Sequence, residues 1–318
     1  RAARLRKKLI TILSGSSLSG ENLALTTALT LGYRDLLNEE VTENFRRSGI
    51  THILAVSGLH VGILSLIMMS LLSFLKGRAV IIRVIISVAA IWVFAFITGL
   101  SPSVTRAAFM FSFLHAGKLV QRPVNNINSL LASAFVVLII NPTVIFEAGF
   151  QLSYSAVIFI LLFYQTLYNS IAVKGVLVRK IWSMTVITLL AQLGTLPFVI
   201  YYFHSLPVMS FFTNIIAIPS AFIILAGGLT SILTFPLPFI QLIASAITGK
   251  AAGLLINLAD KVSSLPFSTF ETGNASLPLF ISLLLLVPLA TSFFVRKDSV
   301  HPHLLLASAI ITIIASAA

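Results

Sequence analysis

The sequence has no cysteine, which excludes disulfides, iron–sulfur clusters and cysteine-ligated zinc. Charge is scarce as well: 9% of the 318 residues are Asp, Glu, Lys or Arg, against about a quarter in soluble domains. So little charge excludes a water-soluble fold. Acids are scarcer than bases, nine Asp+Glu against 21 Lys+Arg, for a net charge of +12. That excess fits basic loops touching anionic lipid, or a polyanionic substrate. A phosphate-binding lysine is missing where one would be sought. Gly15-x4-Gly20 has the glycine spacing of a P-loop, but Glu21 and Asn22 stand where Lys and Ser/Thr must bind phosphate and Mg²⁺. The chain has no ATPase motif of its own. His301-x-His303 is half a metal cluster continued by three leucines, Leu304 to Leu306, which cannot ligate, so no metal site and no cofactor are expected.

What is present is apolar: 58% of residues are hydrophobic. About 20 residues of helix cross the roughly 30 Å hydrocarbon core, so a chain of this composition supplies about nine or ten crossings. A transmembrane β-barrel needs segments alternating polar with apolar. Ile281 to Pro288 and Leu304 to Ile314 are apolar on every face. The expected fold is an all-α polytopic bundle embedded in lipid, with spans near 53–75, 79–100, 104–120, 127–140, 150–168, 181–201, 207–235, 239–258, 277–295 and 303–318. The 127–140 run is short and ends at Asn141-Pro142. The 207–235 run is long and carries Pro219 and Gly227-Gly228. Both are expected to be broken or re-entrant, which is tolerated where protein or water surrounds the backbone.

Residues 1–50 differ from the rest, with eight basic and five acidic side chains. They are expected to form basic amphipathic helices at the membrane interface, at Arg1 to Leu13 and Leu36 to Arg47, leading into a membrane domain over 51–318. The chain starts at Arg1 and reads as a segment of a longer protein.

Ionisable groups inside apolar runs are the best pointers to function. They are His60, Arg106, Glu147 and Lys250, with Arg83 and Lys118 nearer span ends. Arg106 is expected either to line a pore or to pair with Glu147. Gln151, Gln192 and Asn214 are amides suited to joining helices. Gly58-x3-Gly62 and Gly249-x3-Gly253 suit close helix packing. Ser57 and His60, three apart, share a helical face and leave an intramembrane serine hydrolase open.

The run Phe45-Arg-Arg-Ser-Gly-Ile-Thr-His-Ile-Leu-Ala-Val-Ser-Gly-Leu-His-Val-Gly62 resembles the signature of the ComEC family of competence proteins. Further echoes follow in the family's order: Gly99 to Ala107, Pro142 with Glu147 to Tyr154, Gln192-x2-Thr195-x-Pro197 before Tyr202-Phe203, and Asn214 with Pro219. The resemblance implies the membrane-embedded part of a bacterial inner-membrane channel passing single-stranded DNA to the cytoplasm in natural transformation. It implies an OB-fold domain and a nuclease domain of the longer protein as partners; with no ATP site in the chain, transport needs a cytoplasmic helicase or motor, or a gradient to which the intramembrane ionisable residues couple, and a homo-oligomer stays open. The nuclease cluster His-x-His-x-Asp-His is not in this chain, so the segment is expected not to be an enzyme. An external OB-fold domain before it implies that residue 1 faces outward, against the positive-inside rule. On this reading His52, Ser57, Gly58, His60 and Gly62 form a tightly packed or re-entrant element at the pore. Arg46, Arg47 and Arg106 meet phosphate. Glu147 and Gln151 line or brace the cavity, and Gln192, Thr195 and Pro197 shape a helix break. A secondary transporter for a small anion shares the buried charges and broken helices and stays open.

Overall fold

A computed structural model describes residues 2–119, 125–266, 268–273, 276–296 and 302–317. Arg1 and His301, and with His301 the His-x-His pattern, lie outside them. The chain divides into two compact units, residues 1–142 with 212–268, and residues 143–211 with 269–318.

The first unit begins with α1 (Ala2–Ser14), whose basic side chains Arg4, Lys7 and Lys8 are exposed while Leu13 is fully buried. Arg6 points inward instead. Its Nε and Nη2 donate to the carbonyl of Ile97 at 3.0 and 2.9 Å, at the end of α6 (Val80–Ile97), where helix geometry leaves carbonyls without partners. Gly99 (φ +87°) makes room, since a Cβ there would lie 3.0 Å from the Arg6 Nη2.

Residues 20–31 depart from the expected interfacial region. They form α2 (Gly20–Leu31), and every residue from Ala24 to Leu31 is buried. A helix enclosed on all sides has no polar stripe, so amphipathic periodicity does not mark it. Its hydroxyls satisfy themselves: Thr26, Thr27 and Thr30 donate to the carbonyls of Asn22, Ala24 and Thr26 at 2.6–2.9 Å. α3 (Glu39–Arg47) is polar, capped by Asn38, whose Oδ1 accepts from the Val41 amide. Val41 and Phe45, four apart, sink into a core built with α2, α4 (Thr51–Leu54), α11 (Ser210–Leu233) and α12 (Pro238–Ser263). A second core joins α5 (Gly58–Leu71), α6 and α7 (Pro102–Leu119) to Leu225 of α11. α8 (Asn126–Ile140) packs against α7.

The second unit holds α9 (Ala148–Asn169), α10 (Val176–Phe203), α13 (Leu277–Arg296), α14 (Pro302–Ala317) and a two-residue antiparallel pair, β1 (Ser205–Leu206) with β2 (Phe270–Glu271). Phe159, Phe163, Val186, Leu190 and Val287 form its core. α9 and α10 approach closely at Gly194, where a Cβ would sit 2.8 Å from Phe159 side-chain carbons and from the Ser155 carbonyl.

Each of the ten expected spans contains a helix, and the chain is an all-helical, multi-pass membrane bundle. Six of the described helices are long and apolar enough to cross by themselves: Gly77–Ile97, Ala148–Asn169, Val176–Phe203, Ser210–Leu233, Pro238–Ser263 and Leu277–Phe294. α5 and α8, of 14 and 15 residues, reach only about 21–23 Å. α7 carries Arg106, His115 and Lys118. Exposed Ile81, Ile82, Ile85 and Val93 on α6, and Phe239, Leu242 and Ile247 on α12, give these helices an apolar outer face suited to lipid.

The expected breaks at Pro219, Gly227-Gly228 and Pro197 are absent, since α11 and α10 are continuous through them. The glycines serve approach rather than interruption. A Cβ at Gly228 would lie 2.5 Å from the Thr30 methyl of α2, and one at Gly227 would overlap the Thr248 hydroxyl of α12. Gly194→Ala should lower stability by about 1–3 kcal/mol through overpacking. Gly15→Ala, whose Cβ would meet nothing nearer than the Thr11 carbonyl at 3.5 Å, should stay within about 0.5 kcal/mol. Unfolding midpoints in a detergent titration check both.

Candidate functional site

The segment Phe45 to Gly62 links the two cores of the first unit. Ile53 and Leu54 of α4 belong to one core, and Val56 and Val61 to the other. Between α4 and α5 the backbone is extended at Ala55 (φ −81°, ψ 126°) and Ser57 (φ −124°, ψ 177°). Ser57 then starts α5 with a capping box in which His60 takes the place usually held by Glu or Gln. The Ser57 Oγ accepts from the Leu59 amide at 3.3 Å, and the Ser57 amide donates to the His60 Nδ1 at 3.2 Å. Because Nδ1 accepts a backbone N–H, the neutral ring carries its proton on Nε2. His60 is fully buried, and its Nε2 has no hydrogen-bond partner among the described residues. The Ser57 Oγ also lies 3.3 Å from the His60 Nδ1.

Gly58 and Gly62 set α5 against α7. A Cβ at Gly58 would touch the Ala107 methyl at 3.5 Å, and one at Gly62 would press on the Phe111 ring at 3.2 Å. His52, on α4, is exposed, hydrogen-bonds with the Gly49 backbone and lies close enough to the buried His60 for the two rings to interact electrostatically. Sequence reasoning passed over Ser65 and His115, buried on α5 and α7 with Oγ and Nε2 2.8 Å apart. The signal for it was a histidine inside an apolar helix.

The three arginines expected at phosphate occupy different environments. Arg46 and Arg47 are exposed in the last turn of α3, where cations favour the helix dipole. The Arg46 Nε and Nη2 each donate to the Glu43 carboxylate at 2.7 Å. That hydrogen bond, helped by the charges of Arg46 and Arg47 and opposed by slight burial, holds Glu43 below the ordinary carboxylate value. The contribution to stability is present above the ordinary carboxylate pKa and is lost as pH falls through the lowered one. Both groups are about half exposed, so it is small. Arg106 is only 4% exposed, on α7 beside the core residues Val104, Ala107 and Ala108.

The remaining expected residues lie in the second unit. Glu147 is exposed at the N-terminus of α9, and its backbone carbonyl accepts from the amides of Phe150 and Gln151 at 3.0 and 3.1 Å. The Gln151 Nε2 donates to the Ile145 carbonyl at 3.0 Å, and its Oε1 accepts from the Tyr202 hydroxyl at 2.8 Å. Gln151 thereby ties α9 to α10. The Gln192 Nε2 donates to the Ser210 Oγ at 2.5 Å. The Thr195 hydroxyl returns to the Ala191 carbonyl at 2.9 Å, and Pro197 is buried inside α10. Asn214, on α11 within the first unit, is 6% exposed. Arg106 and Glu147 fall in different units. Among the described residues no three His, Asp or Glu side chains gather as metal ligands.

A family model described as competence protein matches residues 29–297. ComE operon protein 3 of Bacillus subtilis (strain 168) is 34% identical over 237 residues, covering 73% of this chain and 29% of that protein. Uncharacterized protein YcaI of Escherichia coli (strain K12) is 26% identical over 202 residues, 62% of this chain and 27% of that protein. The chain therefore spans less than a third of the length of these relatives. No solved structure matches. With the signature segment inside the matched region and a helical membrane bundle around it, the chain belongs to the competence protein family.

Proposed function

We propose that this chain is the membrane-embedded part of a channel that conducts single-stranded DNA across the bacterial inner membrane into the cytoplasm during natural transformation. Membership of the competence family carries the reading, competence being the capacity of a cell to take up DNA. A basic, multi-pass bundle supports it, because phosphate contact and stacking on aromatic walls tolerate any base sequence. In this reading the shorter helices α5, α7, α8 and α14 also enter the bilayer and bring the crossings to nine or ten. Residues 1–50 lead into the membrane domain from outside. An OB-fold domain, a nuclease domain, a cytoplasmic helicase or motor and further copies of the chain work with it.

The residues take graded roles. His52, Ser57, Gly58, His60 and Gly62 make a tightly packed element at the pore, where the cap of α5 holds an extended stretch of backbone between two cores. Arg46 and Arg47 collect phosphate at the surface, and Arg106 meets it deeper. Glu147, Gln151, Gln192, Thr195 and Pro197 brace the second unit. The segment itself is not catalytic in this reading. The Ser57 hydroxyl, already bound to the Leu59 amide, serves as a helix cap rather than a nucleophile.

Deleting the gene in a competent host should abolish transformants while labelled duplex DNA still binds the cell surface; unchanged transformation would overturn the reading. Arg106→Ala should lower transformation about fivefold, since removing one phosphate-binding cation weakens the transported complex by about that factor at 0.1 M salt. Immunoblotting should find the protein in normal amounts. Glu43→Gln removes the carboxylate that neutralises Arg46 and should tighten binding of a single-stranded oligonucleotide. In the unaltered protein the same gain should appear as pH falls through the lowered Glu43 pKa, read by fluorescence anisotropy.

A further inference from the structure

An open groove of about 670 Å³ lies in the first unit along α12, apart from the signature segment. Lys250, Gly253, Asn257 and Lys261 line it with Asn22 of α2. Lys250, Asn257 and Lys261 recur at i, i+7 and i+11, within about 20° of whole helical turns, so one face of α12 carries both cations. The lysines stand about 16 Å apart along the helix axis. Gly253 keeps the lane open, since a Cβ there would come within 3.5 Å of the Asn22 amide oxygen.

α12 is long and apolar enough to cross the membrane, and Lys250 stands near its middle. An ammonium at that depth is costly unless it faces water or an anion. Neither lysine has a side-chain partner among the described residues. The acids adjacent in sequence to the lining are turned elsewhere: Glu21 accepts from the Asn38 side chain at 3.0 Å, and Asp260 from the Asn44 side chain at 3.3 Å. α3, which bears Arg46 and Arg47, packs on the same helix. A lipid headgroup sits at one depth and can meet only one of two cations spaced along a membrane-crossing axis. A chain of phosphodiesters can meet both.

We propose that this groove is a phosphodiester track in which Lys250 and Lys261 each contact a phosphate of one single strand. Asn22 and Asn257 donate to its sugar–phosphate oxygens, and Ile216 and Leu254 supply an apolar wall. The track rests on the DNA-conducting reading above and names residues outside the signature that serve it.

The test uses full-length protein in nanodiscs and a fluorescent oligothymidylate, titrated over a salt series. Replacing both lysines (Lys250→Gln with Lys261→Gln) should flatten the slope of log affinity against log salt by about 1.4 and weaken binding about 25-fold at 0.1 M salt. The charge-preserving pair Lys250→Arg with Lys261→Arg should keep wild-type values, separating lost charge from misfolding. Wild-type affinity and slope in the glutamine variant overturn the track and leave the DNA reading standing. No binding by the wild-type protein overturns both. If the glutamine variant binds oligothymidylate normally but loses co-purified phosphatidylglycerol, the groove is a lipid site and the track is overturned.

Discussion

In hydrocarbon every backbone amide or carbonyl without a partner costs several kcal/mol, and helix ends are where such groups collect. Much of the polar chemistry of this chain answers that constraint. Arg6 closes the end of α6 through the Ile97 carbonyl, and Arg83 donates to the Met69 carbonyl near the end of α5. Asn38 and Asn125 accept from amides that begin α3 and α8. Ser57 and His60 begin α5 reciprocally. Part of the basic excess is thus spent inside the protein on carbonyls, and the net charge overstates the cation surface offered to lipid or substrate.

With backbone needs met locally, the helices are free to pack by shape. Gly194, Gly227 and Gly228 let helices meet nearly backbone to side chain, and hydroxyls such as Thr26, Thr30 and Thr248 bond back to their own helices, so they can face apolar partners. Small residues and self-satisfied hydroxyls are the means of close packing where lipid removes the hydrophobic incentive for helices to associate. The Phe45 to Gly62 segment departs from this regularity. Its short extended stretch joins two cores, so a change in the cap of α5 would be felt in both.

The other cations named above sit in different environments. Arg46 and Arg47 are exposed on α3, which is itself pinned to α12 by Asn44 contacts with Asp260 and Ser263 at 3.3 and 2.8 Å. Lys250 and Lys261 face the groove on α12. Arg106 is buried among apolar side chains of α7. Exposed guanidinium groups act as a weak, salt-screened attraction, whereas an ammonium carried on a membrane-crossing helix gains more from meeting an anion, because its charge is costly at that depth.

The sequence by itself determined the solvent and the helices of the apolar runs. Scarce charge demanded lipid, and each of the ten apolar runs formed a helix, because hydropathy over 14 or more residues is a property of the chain alone. The family was legible too, since a continuous motif is read without knowing what lies beside it. Tertiary structure decided what single residues are for. Glycine and proline are ambiguous in sequence, as either breaks or places of close approach, and at Gly227-Gly228 and Pro197 only the neighbouring helices settled the matter. α2 escaped notice because a helix buried on all sides lacks the polar face that periodicity detects. Whether an arginine is exposed like Arg46 or buried like Arg106, and whether Lys250 and Lys261 share one groove with Asn22, depends on residues far away in the chain. Burial and pairing are properties of the packed neighbourhood, and one-dimensional spacing does not contain it.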